Sequence, residues 1–236
     1  MTIPRQRDNV HVLKSRRFRP IFGALHLGRV TLRKIVFATF AVLGIAAGAK
    51  TVLAQETRVA TFAGGCFWCI ESDFDRVPGV LKTISGYTGG RTKDPTYKKI
   101  VHGDTGHHEA LQITYDPKKV TYKQLLTVFW HSIDPIDSGG QFCDRGEPYE
   151  TAVFVHNEEQ RKLAEASKAA AKEKLGQKIF TPVESAAKFY LAEEYHQDYH
   201  NKNPLRYKYY RWNCGRNQRV RELWGGDAYK GIPANG

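Results

Sequence analysis

From Arg58 onward, short runs that read as strands alternate with stretches of helical period, and that alternation points to an α/β layer fold. Arg58–Ala63 reads as a strand closed by Gly64-Gly65, and a helix is expected from about Cys66 to Val77, stopped by Pro78-Gly79. Leu81–Tyr87 and Ala110–Tyr115 read as strands that end at Gly89-Gly90 and at Asp116-Pro117. Thr121 is the expected cap of a helix over Tyr122–Ile133, where Leu125, Leu126, Phe129 and Trp130 recur at helical spacing. Thr151–Val155 is a β-branched, apolar strand, and Asn157 caps a helix over Glu158–Leu175 that Gly176 closes. Pro182–Ala186 is expected as a strand and Leu191–Tyr199 as a helix. The segment after Asn201, rich in Tyr, Arg and Gly, is expected as an irregular tail on the domain.

Charge divides the chain. The formal net charge is +12, but residues 1–34 hold nine basic side chains against Asp8, whereas Gln55 onward holds 26 basic and 23 acidic ones. The basic character thus belongs mostly to the N-terminal extension, and no nucleic-acid partner is expected. The uncharged run Ile35–Ala49 is 15 residues long. It is short for a helix that spans a bilayer, which needs about 20 residues. With its basic lead-in and Val52-Leu53-Ala54 it fits a cleaved export signal. Residues 1–54 are therefore expected to be a targeting segment and 55–236 a single domain, exported and periplasmic. A membrane-anchored or cytoplasmic protein is the alternative.

Four cysteines among 236 residues are too few for a disulfide scaffold and enough for a redox or metal site. The sharpest local feature is Gly64-Gly65-Cys66-Phe67-Trp68-Cys69. The glycines permit a tight turn out of the strand, which puts Cys66 at a helix entrance, where free N–H groups favour a thiolate and its pKa should fall. Phe67 and Trp68 beside that sulfur suggest an apolar cradle suited to a methyl or thioether group. A Cys-x-x-Cys also fits a thioredoxin-like dithiol or half of a zinc site. The lack of a second closely spaced ligand pair leads to the expectation of no metal.

Beyond this motif the chain carries Gly86-Tyr87-Thr88-Gly89-Gly90, Pro95-Thr96-Tyr97, Gly106-His107 with Glu109, Phe129-Trp130 with Asp134-Pro135, and Gln141-Phe142 with Asp144 and Tyr149. In this order, from about residue 58 to about 204, the sequence resembles the peptide methionine sulfoxide reductases of the A type. The resemblance implies a compact two-layer α/β sandwich around a mixed, ferredoxin-like sheet. It implies reduction of methionine S-sulfoxide, free or in proteins. Cys66 would be the nucleophile, Glu109 the acid, Phe67 and Trp68 the holders of the substrate methyl, and Tyr97, Asp144 and Tyr149 the polar lining. A sulfenic acid on Cys66 would be resolved by a second thiol and recycled by an external dithiol, thioredoxin by family precedent, with no cofactor. Cys214 in the tail is the favoured resolving thiol and Cys69 its rival. Cys143 is expected to be a small packed residue. The protein is expected to act as a monomer.

Other features read as structural. His196 and His200 stand four apart and could share a metal, but a metal-free helix is expected there. His107 and His108 are assigned to loop structure. Residues 202–221 carry seven basic side chains interleaved with aromatics, which reads as a solvated tail packing its rings. A thioredoxin-like oxidoreductase using Cys66 and Cys69 is the alternative function.

Overall fold

The structure, a computed structural model, describes residues 55–233. The expected targeting segment, residues 1–54, lies outside the described residues. Among the described residues no helix is long and apolar enough to cross a membrane.

Strand β1 (Arg58–Gly64) leads into helix α1 (Phe67–Phe74), followed by β2 (Val80–Thr88), α2 (Tyr97–His102), β3 (His108–Tyr115) and α3 (Tyr122–Trp130). A short hairpin, β4 (Gly140–Gln141) and β5 (Asp144–Arg145), precedes β6 (Thr151–Val155), α4 (Glu158–Leu175), β7 (Val183–Ser185) and β8 (Tyr190–Leu191). Helices α5 (Tyr199–Lys202), α6 (Pro204–Asn213) and α7 (Arg216–Trp224) follow. The main sheet has the order β7-β6-β1-β3-β2-β8, antiparallel except for the parallel pair β6–β7. Its central order β6-β1-β3-β2, reached through crossover helices, is the mixed-sheet α/β layer arrangement expected from the alternation.

Local chemistry sets the helix ends. Thr121 accepts the Gln124 N–H while the Gln124 side chain accepts the Thr121 N–H, a closed capping box. Asn157 caps α4 through the Gln160 N–H, and Gly176 ends it in the left-handed conformation. Alternate residues of β1 divide the core. Ala60 and Phe62 face Ile70 and Phe74 of α1 and Leu125 and Phe129 of α3, with Phe62 ring centroids 5.5 Å from Phe74 and 4.9 Å from Phe129. Ala63 joins Ala110, Ala152 and Phe154 in a small second cluster.

Two expectations are corrected. Leu191–Tyr199 is not a helix: Tyr190 and Leu191 pair with Tyr87 and Gly86 at the sheet edge, and the chain then turns. The Gln197 amide holds that turn by bonding both the Ser85 N–H and its carbonyl. The segment after Asn201 is not irregular either. Tyr207 of α6 and Val220 and Trp224 of α7 are buried, so tertiary burial of one stripe on each helix stabilises both.

Candidate active site

Cys66 occupies the N-cap of α1, where the turn after β1 requires glycine. Gly65 has φ +79°, and a Cβ there would lie 2.5 Å from Cβ of Gln141. The Cys66 carbonyl accepts the Cys69 N–H at 3.0 Å, so the helix starts at once and both cysteines sit on its first turn. Cys66 and Cys69 are buried, at 5% and 2% exposure, in a cluster with Tyr207, against which Trp68, Tyr199 and Tyr210 pack.

The two sulfurs share a hydrogen bond in which the Cys66 thiol faces the Cys69 sulfur. Burial pushes the Cys66 thiol well up, and Cys69, Glu109 and Asp144 add to this. The lowering expected from the helix N-terminus is therefore outweighed by desolvation. Cys69 moves the other way, to about 7, because the bond to Cys66 and then the Arg216 and Arg211 guanidiniums favour its anion. The pair titrates as a unit, with the negative charge nearer Cys69.

Glu109 enters from β3. It is 1% exposed, and its Oε2 accepts the backbone N–H of Phe67 at 3.0 Å, directly beside Cys66. Burial drives its carboxyl well above the ordinary carboxylate range, and the single N–H bond only partly opposes this. A buried acid whose proton is favoured in this way can donate it to an oxygen as the adjacent sulfur is attacked.

Tyr97 and Tyr149 hydrogen-bond through their hydroxyls and face Glu109 and Asp144. Burial raises both phenols, so both remain donors. The Tyr97 N–H donates to Glu193, which also accepts from the Tyr87 hydroxyl, and this seats α2 on β2. Asp144 on β5 accepts a short hydrogen bond from Tyr210 of α6. Phe67 is 1% exposed and packs between Tyr87 and His196, 6.0 and 4.9 Å away, as part of the main core. Trp68 is half-buried and stacks on Tyr199 at 3.7 Å with Tyr210 edge-on at 5.7 Å.

Thus Cys66, Cys69, Glu109, Tyr97, Tyr149 and Asp144 come together, with Trp68 beside them. Cys214 does not join them as a free thiol: it is bonded to Cys143, with Cα atoms 4.8 Å apart. Cys143 is accordingly not the small packed residue expected, but an exposed half of this disulfide. His107 and His108 bond loop backbone, at Gly90, Thr92 and Glu150, as expected.

Sequence reasoning missed four neighbours. His196 accepts the Trp68 indole N–H at 3.1 Å on Nδ1, and burial lowers its pKa to about 4, so it stays neutral. Tyr199 and Tyr210 clamp Trp68. Arg216 is 1% exposed and bonds the carbonyls of Gly64 and Ser132, which brings its charge to the turn before Cys66. The His196 spacing and the aromatic tail were visible signals, but neither indicated which element they would pack against.

A family model described as peptide methionine sulfoxide reductase matches residues 58–228. The chain is 54% identical over 179 residues to the peptide methionine sulfoxide reductase MsrA 2 of Rhizobium meliloti (strain 1021), covering 76% of this chain and 89% of that one. It is 53% identical to MsrA of Bacillus licheniformis over 179 residues, 73% of this chain and 97% of that one. Among solved structures it resembles Mxr1 from Saccharomyces cerevisiae in reduced form, with 35% identity, TM-score 0.60, and coverage of 64% of this chain and 88% of that one.

Proposed function

The chain belongs to the peptide methionine sulfoxide reductase family, and from that membership we propose that Cys66 takes the oxygen of methionine sulfoxide while Glu109 supplies the proton. The protein is a thiol-dependent oxidoreductase that reduces methionine sulfoxide to methionine. The observation that carries the assignment of roles is the Phe67 N–H bond to Glu109, which holds a buried acid beside the Cys66 sulfur.

A sulfoxide sulfur resists a thiol until its oxygen is protonated. Glu109 gives that proton, and Tyr97 and Tyr149 donate hydrogen bonds to the oxygen as charge develops on it. As the Cys66 sulfur attacks, its own proton passes to the Cys69 sulfur, whose lowered pKa makes it a suitable acceptor at neutral pH. Methionine departs, and the oxygen remains on Cys66 as a sulfenic acid. Trp68, fixed by His196 and Tyr199, bounds the place for the substrate methyl.

The resolving thiol in this reading is Cys69, because it is already in contact with Cys66 while Cys214 is engaged by Cys143. Cys69 attacks the sulfenic sulfur, water leaves, and a Cys66–Cys69 disulfide forms. An external dithiol of the thioredoxin class then restores both thiols. Export of the domain by residues 1–54 belongs to the same proposal and rests on the sequence pattern of that segment.

Methionine sulfoxide turnover with dithiothreitol, measured for wild type, Cys66→Ser and Glu109→Gln, tests the assignment. Turnover by wild type, none by Cys66→Ser and a deep loss in Glu109→Gln are expected; turnover by Cys66→Ser at the wild-type rate overturns it. A plain dithiol oxidoreductase would lose thiol exchange with Cys66→Ser but keep it with Glu109→Gln, and would show no sulfoxide turnover at all.

A further inference from the structure

Cys143 and Cys214 link two elements that cover the reactive pair. Cys143 precedes Asp144 in the β4–β5 hairpin, Cys214 caps the C-terminus of α6, and 71 residues separate them in sequence. The same elements also meet through the Tyr210 hydroxyl, which donates to Asp144, and through the Arg216 guanidinium, 4.7 Å above the Phe142 ring. Tyr210 belongs to the set of rings that close over Cys66 and Cys69.

That closure conflicts with the chemistry. A reacting sulfur must come within about 3–3.5 Å of its nucleophile, and Cys66 keeps only 5% exposure. Part of the cover must withdraw. The hairpin strands are two residues each: β4 is anchored by buried Gln141, which bonds the Asp134 backbone, whereas β5, which carries Asp144, pairs with β4 over two residues. With the disulfide broken, the Tyr210–Asp144 hydrogen bond, the Arg216 contact with the Phe142 ring and the Arg216–Asp144 attraction remain between the hairpin and α6 and α7. With it in place, Tyr210 and Asp144 are held over Cys66.

The geometry points to Cys143–Cys214 as a second redox centre, a latch whose reduction by an external dithiol lets Tyr210 and Asp144 withdraw and uncovers Cys66. This rests on the reading of Cys66 as the reacting thiol. Cys143 is exposed, which leaves its sulfur open to an incoming thiol. A reductant thiolate attacks the Cys143 sulfur, the S–S bond breaks, and Cys214 leaves as a thiolate that takes up a proton. The second thiol of the reductant then loses its proton and attacks the mixed disulfide, which releases Cys143 as a thiol and leaves the reductant oxidised by two electrons. The consequence is protective. Cys66 is uncovered only where a dithiol is present to recycle it, so its sulfenic acid is not left open to irreversible oxidation.

The test is the rate at which iodoacetamide alkylates Cys66, read by site-resolved mass spectrometry at one pH. It compares full-length wild type with the disulfide intact, the same protein after reduction by a phosphine and its removal, the reoxidised protein, and Cys143→Ser. Opening a local cover should raise the rate at least about tenfold in the reduced protein and in Cys143→Ser, with protection restored on reoxidation. Equal rates, within about twofold, in intact and reduced wild type overturn the latch. Near-UV circular dichroism establishes whether Cys143→Ser is folded; if it is not, the wild-type comparison decides alone. The alkylation readout needs no sulfoxide. A failed latch therefore leaves turnover intact, and failed turnover leaves the alkylation ratio intact.

Discussion

The backbone N–H of Phe67, the first residue of α1, donates to Oε2 of Glu109 in β3 across 3.0 Å, although 42 residues separate them. The bond joins the strand that carries the acid to the helix entrance that carries the thiol. It also leaves the carboxyl with one N–H where a stably ionised group would need two or three, so burial decides its protonation.

Glu109→Gln keeps an acceptor for Phe67 and removes the proton donor. Methionine sulfoxide turnover should fall by about 10²–10⁴-fold, the range for loss of a general acid. Wild-type kcat/KM should decline as pH rises through the raised Glu109 pKa, because the protonated form is the competent one, and the residual activity of Glu109→Gln should lack that decline. Steady-state kinetics across pH checks both; a variant with wild-type turnover contradicts the assignment of the acid.

Cys69→Ser should trap Cys66 as a sulfenic acid after one turnover, whereas Cys214→Ser should not. After reduction of Cys143–Cys214 by a phosphine and its removal, one equivalent of substrate should release one methionine from each enzyme, and only Cys69→Ser should be labelled strongly by dimedone at Cys66. Labelling confined to Cys214→Ser would transfer the resolving role to Cys214.

Gly65→Ala places a Cβ 2.5 Å from Cβ of Gln141 at a backbone with φ +79°. The strain should cost on the order of 1–3 kcal/mol, and the displaced turn should slow turnover beyond what that loss explains. Denaturant melts and kinetics on the folded variant give the two values separately.

Glu71 on α1 is buried, and burial raises its pKa from 4.5 to about 7, although Oε2 accepts the Asp198 N–H. Between those values the folded protein holds a proton that the unfolded chain has lost. Stability therefore falls as pH rises from about 4.5 to about 7 and then levels. Glu71→Gln should remove that decline and gain on the order of 1 kcal/mol at pH 8. Chemical melts at several pH values check it, and a parallel decline in the variant would exclude Glu71 as the source.

The sequence alone determined what short-range sterics and periodicity control. Thr121, Asn157 and Gly176 marked helix ends that formed where they indicated, the strands from Arg58 to Val155 alternated as written, and Gly64-Gly65 placed Cys66 at a helix entrance. Tertiary structure decided the rest. Tyr190 and Leu191 gave up a local helix for a sheet edge, and Tyr207 and Trp224 turned an aromatic-rich tail into buried helices. Cys214 found Cys143, 71 residues away, rather than Cys66. The ionisation of the site followed the same division. A helix N-terminus is a local property and favours a thiolate, but desolvation depends on every element packed above the sulfur, and at Cys66 it is the larger effect.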